Sequence, residues 1–482
     1  MKKENNQKEK DRFPKEKRER TYSRLRGMRD VLFDEYRYYD LVEGKARDLA
    51  EVYGFRRVIT PVLEKAELYE RATGKATDIV SKEMYVFPDK NGERVAMRPE
   101  LTPSMVRAYI EHGMFNLPQP VKMFTIGSCF RHEKPQSGRL RQHHQFGLEM
   151  FGEEKPSADA QVILIAYNFF KELQLNIQIQ INSIGCKECR GEYERKLIEY
   201  YNERGKRSKL CPDCKKRLKK NPLRLLDCKE LSCVAAREDA PQIVDFLCEP
   251  CKNHFIKVLE YLDELNVSYN LNPYLVRGLD YYNRTVFEVW PSSVEVAESK
   301  PSSEEASRGK LFSDQDGKAD GDEIQAGEKP DNLPRQASLG GGGRYDGLVE
   351  YMGGRPTPGL GFGLGIERTI AKIKEKNIPF KKDGAPVVFV AQLGEASKRK
   401  AMALFEDLRR AGFSVRQAFT KDSLKVQLEE ANRLESKFSL ILGQKEVMDG
   451  TILVRDMESG IQEVLDFNKI KSNLEKRIAE KK

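Results

Sequence analysis

No stretch of the sequence approaches the ~18 uninterrupted apolar residues that a membrane-spanning helix needs, so no such span is expected. The first twenty residues hold no apolar core of the kind a secretory signal requires. They carry nine basic and five acidic side chains, a mixture that also argues against a transit peptide and reads as a disordered basic tail over 1–20. A cytoplasmic protein is the expectation. There is no internal repeat, which excludes a solenoid or repeat array. Nor is one sign of charge in large excess: 84 Lys and Arg against 75 Asp and Glu leave a net +9 over 482 residues. That balance is compatible with a polyanionic partner without establishing one. Cysteine is almost missing outside one window, since eight of the nine fall between Cys186 and Cys251. In a reducing compartment, clustered Cys-x-x-Cys pairs point to metal before disulfide.

The length suffices for two or three cores. Apolar residues recur at helical spacing from Phe33 to Tyr53, and Gly54 stands where a helix stop belongs. The segment FRRVIT reads as a strand closed by Pro61, and 84–97 as a hairpin with Asn91-Gly92 at its tip. A helix is expected from Pro103 to His112, another over Ala158–Leu173, and strands over Val121–Phe130, Gln142–Phe151 and Asn176–Asn182. Strand-like chain returns at Tyr282–Val289. Residues 291–338 hold eleven acidic and six basic side chains among Ser, Asp and Gly, too little apolar surface for a core, and read as a disordered insert. From about Ala385 strands and helices alternate in the rhythm of a small α/β domain.

The chemistry concentrates in FRHEKPQSGRLRQHHQFGLEMFG, residues 130–152. Period two puts Arg131 and Glu133 on one face of the first strand, and Gln145, Gly147 and Glu149 on one face of the second. A glycine between two polar residues leaves room for a ligand to lie flat on the sheet. An exposed hairpin with ordinary surface charges is the plain alternative. It loses ground because the same strands carry apolar runs that should be buried, where charges need partners.

This segment resembles motif 2 of class II aminoacyl-tRNA synthetases, a strand–loop–strand opening on Arg-x-Glu. GLGFGLGIERTI at 359–370 resembles their motif 3, with Arg368 in its helix, and GFRRVITPVLEKAELY with Pro61 resembles motif 1, which in this class forms part of a dimer interface. LVRGLDYYNRTVFE at 275–288 and GGGRYDGL at 341–348 resemble the two signatures of the histidyl-tRNA synthetase family. The five segments stand in the family's order, and the likeness runs from about Arg26 to Leu465. It implies an α+β chain in three parts. A class II catalytic domain, with a mainly antiparallel sheet flanked by helices, would span 21–184 and 266–380. A cysteine-rich helical insertion subdomain would take 185–265, and a C-terminal α/β anticodon-binding domain 384–482.

The reaction the resemblance implies is histidine–tRNA ligation in a homodimer: L-histidine and ATP form histidyl-adenylate and pyrophosphate, and histidine then passes to the 3′ end of its tRNA. Both reactants of the first step are anionic, so charge must be neutralised and the pair held in line. Arginine suits this, because its planar fork meets phosphate or carboxylate bidentately and stays charged. By resemblance Arg131 and Arg277 meet the α-phosphate and the reacting carboxylate. Arg139 and Arg368 hold the γ-phosphate, and Glu133 faces the adenine amino group. The carboxylate is already ionised at neutral pH, so no general base is needed, nor any of the five histidines as a nucleophile. Mg²⁺ is expected to arrive bound mainly through the ATP phosphates. Imidazole offers one donor and one acceptor, which Glu149 and Tyr282 would meet, with Tyr281 beside them. Glu100, Thr102 and Gln145 would hold the α-amino group. Lys134, Arg139 and Arg141 would face the acceptor end of the tRNA.

Two neighbours share parts of this pattern. One is the non-catalytic regulatory relative in histidine biosynthesis, which typically lacks the anticodon-binding domain. The other is a class II enzyme for a different amino acid, in which LVRGLDYYNRTVFE is not expected. Among the cysteines, Cys186–Cys189 and Cys211–Cys214 are separated by the spacing of structural zinc sites, so a Zn²⁺ on Cys186, Cys189, Cys211 and Cys214 is expected, with a second possible from the other four. Ordinary buried cysteines are the alternative.

Overall fold

A computed structural model of the chain describes residues 22–74, 77–134, 139–203, 205–292, 338–379 and 387–480. The expected basic tail at 1–20, nearly all of the acidic insert at 291–338, and the tip of the 130–152 hairpin at 135–138 lie outside these residues. The chain divides into two compact units, Met1–Ile378 and Pro379–Lys482.

In the first unit the strands are, in chain order, β1 (Arg56–Arg57), β2 (Leu63–Lys65), β3 (Val86–Pro88), β4 (Arg94–Met97), β5 (Val121–Phe130), β6 (Gln142–Phe151), β7 (Ile177–Ser183), β8 (Tyr269–Leu271), β9 (Asn283–Pro291), β10 (Gly340–Arg344) and β11 (Gly359–Gly365). Eight of them form one sheet in the order β1-β5-β6-β11-β10-β9-β7-β8. The five inner pairings are antiparallel, and the outermost two, β1 with β5 and β7 with β8, are parallel. The strand expected at FRRVIT is thus cut to Arg56–Arg57, an edge that pairs with β5 over two residues only.

Alternation along β6 decides the two faces of this sheet. Phe146, Leu148 and Met150 are buried on one side, opposite Leu364, Phe362 and Leu360 of β11. Helices Phe33–Val52 and Pro156–Glu172 cover that side, and the Phe146 ring stands 5.2 Å from that of Phe362 and 5.4 Å from that of Phe169. Gln145, Gly147 and Glu149 fall on the other side, opposite Gly365, Gly363 and Gly361. Helix Phe33–Val52 buries a stripe of Tyr39, Val42, Ala46 and Leu49, and ends as Gly54 turns to φ +80°. In the small sheet of β2, β3 and β4, the Asp89 carboxylate accepts the amides of Asn91 and Glu93 at 2.8 Å each and so fixes the β3–β4 turn.

Between β7 and β8 the chain is helical, with Lys187–Asn202, Pro212–Lys220, Leu231–Arg237 and Glu249–Glu264 as its α-helices of seven residues or more. Phe255, Val258 and Leu262 of its last helix join the core on the apolar side of the large sheet, and its other buried apolar residues share a core with helix Thr102–Glu111 and with Tyr282 and Tyr345. Here the expected four-cysteine set is corrected. Cys186 and Cys189 gather with Cys248 and Cys251, whereas Cys211 and Cys214 gather with Cys228 and Cys233. The reason is topological. The chain leaves the sheet at the end of β7 and comes back through Glu249–Glu264 to β8, which lies beside β7, so the first and last cysteine pairs meet at the base.

The second unit has β12 (Val388–Gln392), β13 (Val415–Gln417), β14 (Phe438–Leu442), β15 (Thr451–Asp456) and β16 (Gln462–Asp466) in the order β13-β12-β14-β15-β16. β12 runs parallel to β13 and β14, and the other pairings are antiparallel. Helices Glu395–Arg410 and Ile470–Glu480 close its own core around Val390, Leu440 and Leu474.

Candidate active site

The polar face of the large sheet carries two adjoining cavities. The smaller, about 60 Å³, is lined by Glu100, Thr102, Gln145, Glu149, Tyr281 and Tyr282 among others. The larger, about 250 Å³, is lined by Glu133, Arg139, His143, Glu288 and Arg368 among others. Arg131, Gln145 and Arg277 line both.

Glycine makes this face possible. A Cβ on Gly361 would collide with the Glu149 carboxylate and the Leu148 carbonyl. One on Gly341 would meet the Phe287 carbonyl and stand 2.8 Å from Arg277 Nη1. Charged side chains therefore lie flat against strands that have no side chains of their own at those points.

In the smaller cavity Glu149 is 1% exposed. Its Oε1 accepts from the Thr102 hydroxyl at 2.6 Å, and its Oε2 accepts from the Tyr345 hydroxyl. Burial pushes the Glu149 carboxyl up to about 8, against those two bonds, and the nearby Glu100 raises it further. Glu100 accepts from Thr73 at 2.6 Å and from the Tyr281 hydroxyl at 2.8 Å, and burial raises its carboxyl too. Burial and these carboxylates hold the Tyr281 and Tyr345 hydroxyls well above the usual tyrosine range, so both are donors at neutral pH. Tyr281 thus stands with Glu100 rather than with Glu149. Tyr345, in the segment GGGRYDGL, was not singled out from sequence. Its only mark there is a place two residues past a run of four glycines, which no period or spacing marks as a ligand.

In the larger cavity Arg277 Nη1 donates to Glu288 Oε1 at 2.6 Å, and the guanidinium lies 5.6 Å from the centre of the Tyr282 ring. Its Nε is buried without a hydrogen-bond partner among the described residues, a donor that an anionic ligand would satisfy. Arg131 and Glu133 both lie past the end of β5, so strand alternation does not set their faces as expected, and Arg131 Nε donates to the Pro99 carbonyl at 2.8 Å. Arg139 pairs with Glu133 at 3.3 Å, and Arg368 Nη1 donates to the Ser338 carbonyl at 2.6 Å. Burial, helped by the charges of Arg131 and Arg368, lowers His143 to about 3 and keeps it neutral between them. Glu367 joins motif 3 to motif 2, accepting the His144 amide at 2.9 Å and lying 2.7 Å from His144 Nδ1. The cavity therefore presents four arginines against three carboxylates. Glu133, Glu288 and Glu367 are each already engaged. Among the described residues the clusters suited to a metal ion are the two cysteine sets.

The model of the histidyl-tRNA synthetase family matches residues 27–186, and that of the anticodon binding domain matches 387–477. A histidine–tRNA ligase from Dehalococcoides mccartyi is 41% identical over 458 residues, covering 95% of this chain and 100% of its own. One from Pelotomaculum thermopropionicum is 40% identical, covering 95% and 99%. The chain belongs to the histidyl-tRNA synthetase family. Among solved structures, apo S. aureus histidyl-tRNA synthetase aligns with a TM-score of 0.73 at 29% identity, covering 94% of this chain and 100% of that one. Membership makes the chain a class II aminoacyl-tRNA synthetase with the catalytic and anticodon-binding parts of its family. Among the described residues no helix is long and apolar enough to cross a membrane.

Proposed function

We propose that the smaller cavity binds L-histidine, the larger binds ATP, and the chain joins them as histidyl-adenylate before passing histidine to its tRNA. One observation carries this reading: Arg131 and Arg277 line both cavities, so a carboxylate in one and a phosphate in the other would meet between them. A carboxylate oxygen attacks the α-phosphorus and pyrophosphate leaves, so negative charge gathers between two fixed guanidinium groups. Glu288 and the Tyr282 ring hold Arg277 in place for this. Arg139 and Arg368 take the γ-phosphate and Glu133 the adenine amino group. Glu100, Thr102 and Gln145 hold the α-amino group, a role that the Glu100–Tyr281 bond supports by orienting the carboxylate. Glu149, with Tyr282 and the newly found Tyr345, meets the imidazole. Magnesium on the phosphates supplies further positive charge, and the cysteines between β7 and β8 supply ligands for structural zinc.

The same reading places the enzyme in the cytoplasm as a homodimer. Ile59, Val62 and Leu63 of the motif 1 segment are exposed apolar residues, which supports a covered face there. Lys134, Arg139 and Arg141 of the motif 2 hairpin would meet the acceptor end of tRNA, and the second unit its anticodon. ATP–pyrophosphate exchange run with single amino acids tests the reading, with histidine alone expected to support exchange. Arg277→Ala should lower the exchange rate by ~3–4 kcal/mol in the transition state, about 10²–10³-fold, in a folded protein. Near-unchanged exchange would refute the assignment.

A further inference from the structure

We propose that the helical stretch between β7 and β8 is stapled by two zinc ions, each held by four thiolates, and that the outer one fixes the loop carrying Arg277. Cys186, Cys189, Cys248 and Cys251 form the inner site, and Cys211, Cys214, Cys228 and Cys233 the outer one. Within each set the four sulfurs all lie within 4.8 Å of one another. Cys186 stands 3.5 Å from Cys189 and 3.9 Å from Cys248, and Cys211 stands 3.9 Å from Cys228. Four sulfurs placed ~2.3 Å from one ion at the corners of a tetrahedron are about 3.8 Å apart. A disulfide would bring two of them to ~2.05 Å. The thiols are therefore disposed around common centres rather than in pairs.

A second observation points the same way. Cys186, Cys211 and Cys248 are each the residue that starts a helix, Lys187–Asn202, Pro212–Lys220 and Glu249–Glu264 respectively. The first amides of a helix have no partner within it and are free to donate to sulfur there. Backbone amides also donate to sulfur: Cys248 N to Cys189 at 3.1 Å, Cys211 N to Cys233 at 3.2 Å, and Cys214 N to Cys211 at 3.4 Å. Such bonds orient metal-bound thiolates and offset their charge. The outer site draws on short pieces, among them Pro212–Lys220 and Leu231–Arg237, too short to hold their shape alone. A clamp that binds only the folded arrangement stabilises it by its binding free energy.

These pieces reach the catalytic loop. Asn221 Nδ2 donates to Asp280 Oδ1 at 2.8 Å. Arg224 packs over Gly278, the residue after Arg277. From the inner site, Arg190 Nη2 donates to the Tyr282 carbonyl at 2.5 Å. Residues 277–282 are thus backed by side chains whose own positions depend on the cysteine sites. This coupling rests on the proposed role of Arg277, whereas the metal sites do not.

Elemental analysis of the full chain purified without chelator should find two zinc ions per chain. Displacement of zinc by a mercurial should follow the titration of eight thiols. Cys186→Ser with Cys248→Ser should leave one ion per chain, since both belong to the inner site. It should leave none if pairs adjacent in sequence shared an ion. Should that variant fail to fold, cobalt-substituted wild-type protein decides, showing the strong thiolate-to-cobalt absorption of two tetrahedral sites. A wild-type content near zero or one, or no such absorption, overturns the proposal. Stripping zinc should lower histidine-dependent exchange at least about tenfold and expose 203–233 to protease, with zinc restoring both. Zinc-free protein as active as loaded protein overturns the coupling. Zinc-loaded protein that activates no histidine counts instead against the proposed function.

Discussion

Replacing Glu149 by Gln tests the imidazole pocket most sharply. With its carboxyl pushed up to about 8 by burial, Glu149 favours the protonated form at pH 7 before a ligand binds. An incoming imidazole, with an ordinary pKa of ~6.5, meets that proton, and ring and carboxyl share it in a charge-assisted bond. Such a bond contributes ~1.5–3 kcal/mol, so Glu149→Gln should raise the KM for histidine about 10- to 150-fold. The KM for ATP should change by no more than about twofold, because Glu149 does not line the larger cavity. In the wild type the KM for histidine should climb as pH passes about 8, where the shared proton is lost, and the Gln variant should show no such climb. Stability follows the same group. Its folded value is raised above the unfolded one, so its contribution is whole below the unfolded carboxyl range and is lost as pH rises through about 8. The Gln variant should therefore gain on the wild type across that window in denaturant unfolding. Initial-rate exchange kinetics from pH 6 to 9 supply the test. Equal increases for both substrates, or a flat wild-type profile for histidine, would refute the reasoning.

Arg344 is fully buried and donates to Asp159 at 2.6 and 3.0 Å, so Arg344→Leu should cost ~3–5 kcal/mol in denaturant unfolding by leaving Asp159 charged and poorly paired. The double variant with Asp159→Leu should recover much of that loss. Gly361→Ala should raise the KM for histidine and destabilise by ~1–3 kcal/mol, because its methyl group would meet the Glu149 carboxylate and the Leu148 carbonyl, measured by exchange kinetics and unfolding of one preparation. Replacing 293–336 by a short Gly/Ser linker should leave histidine activation within about twofold, since that composition supports no core, and Ser338, which anchors Arg368, is kept. A large loss of exchange activity would show that the segment does more than connect.

Much of the framework could be read along the chain because it rests on local periods. Alternation alone put Gln145, Gly147 and Glu149 on one face, and the β6–β11 register has that face opposite Gly365, Gly363 and Gly361. The Asn91-Gly92 turn and the stop at Gly54 are backbone chemistry of single residues. What joins residues far apart in sequence was settled only in three dimensions. Cys186 meets Cys248 rather than Cys211, because β7 and β8 lie side by side and bring the two ends of the helical stretch together. Tyr345 meets Glu149 across 196 positions, and Arg277 finds Glu288 because β9 folds back past it, contacts that no spacing encodes. The sequence by itself determined which side chains face the same way. The tertiary structure decided which of them share a cavity, because burial and charge pairing act between strands and helices that only the folded chain makes neighbours.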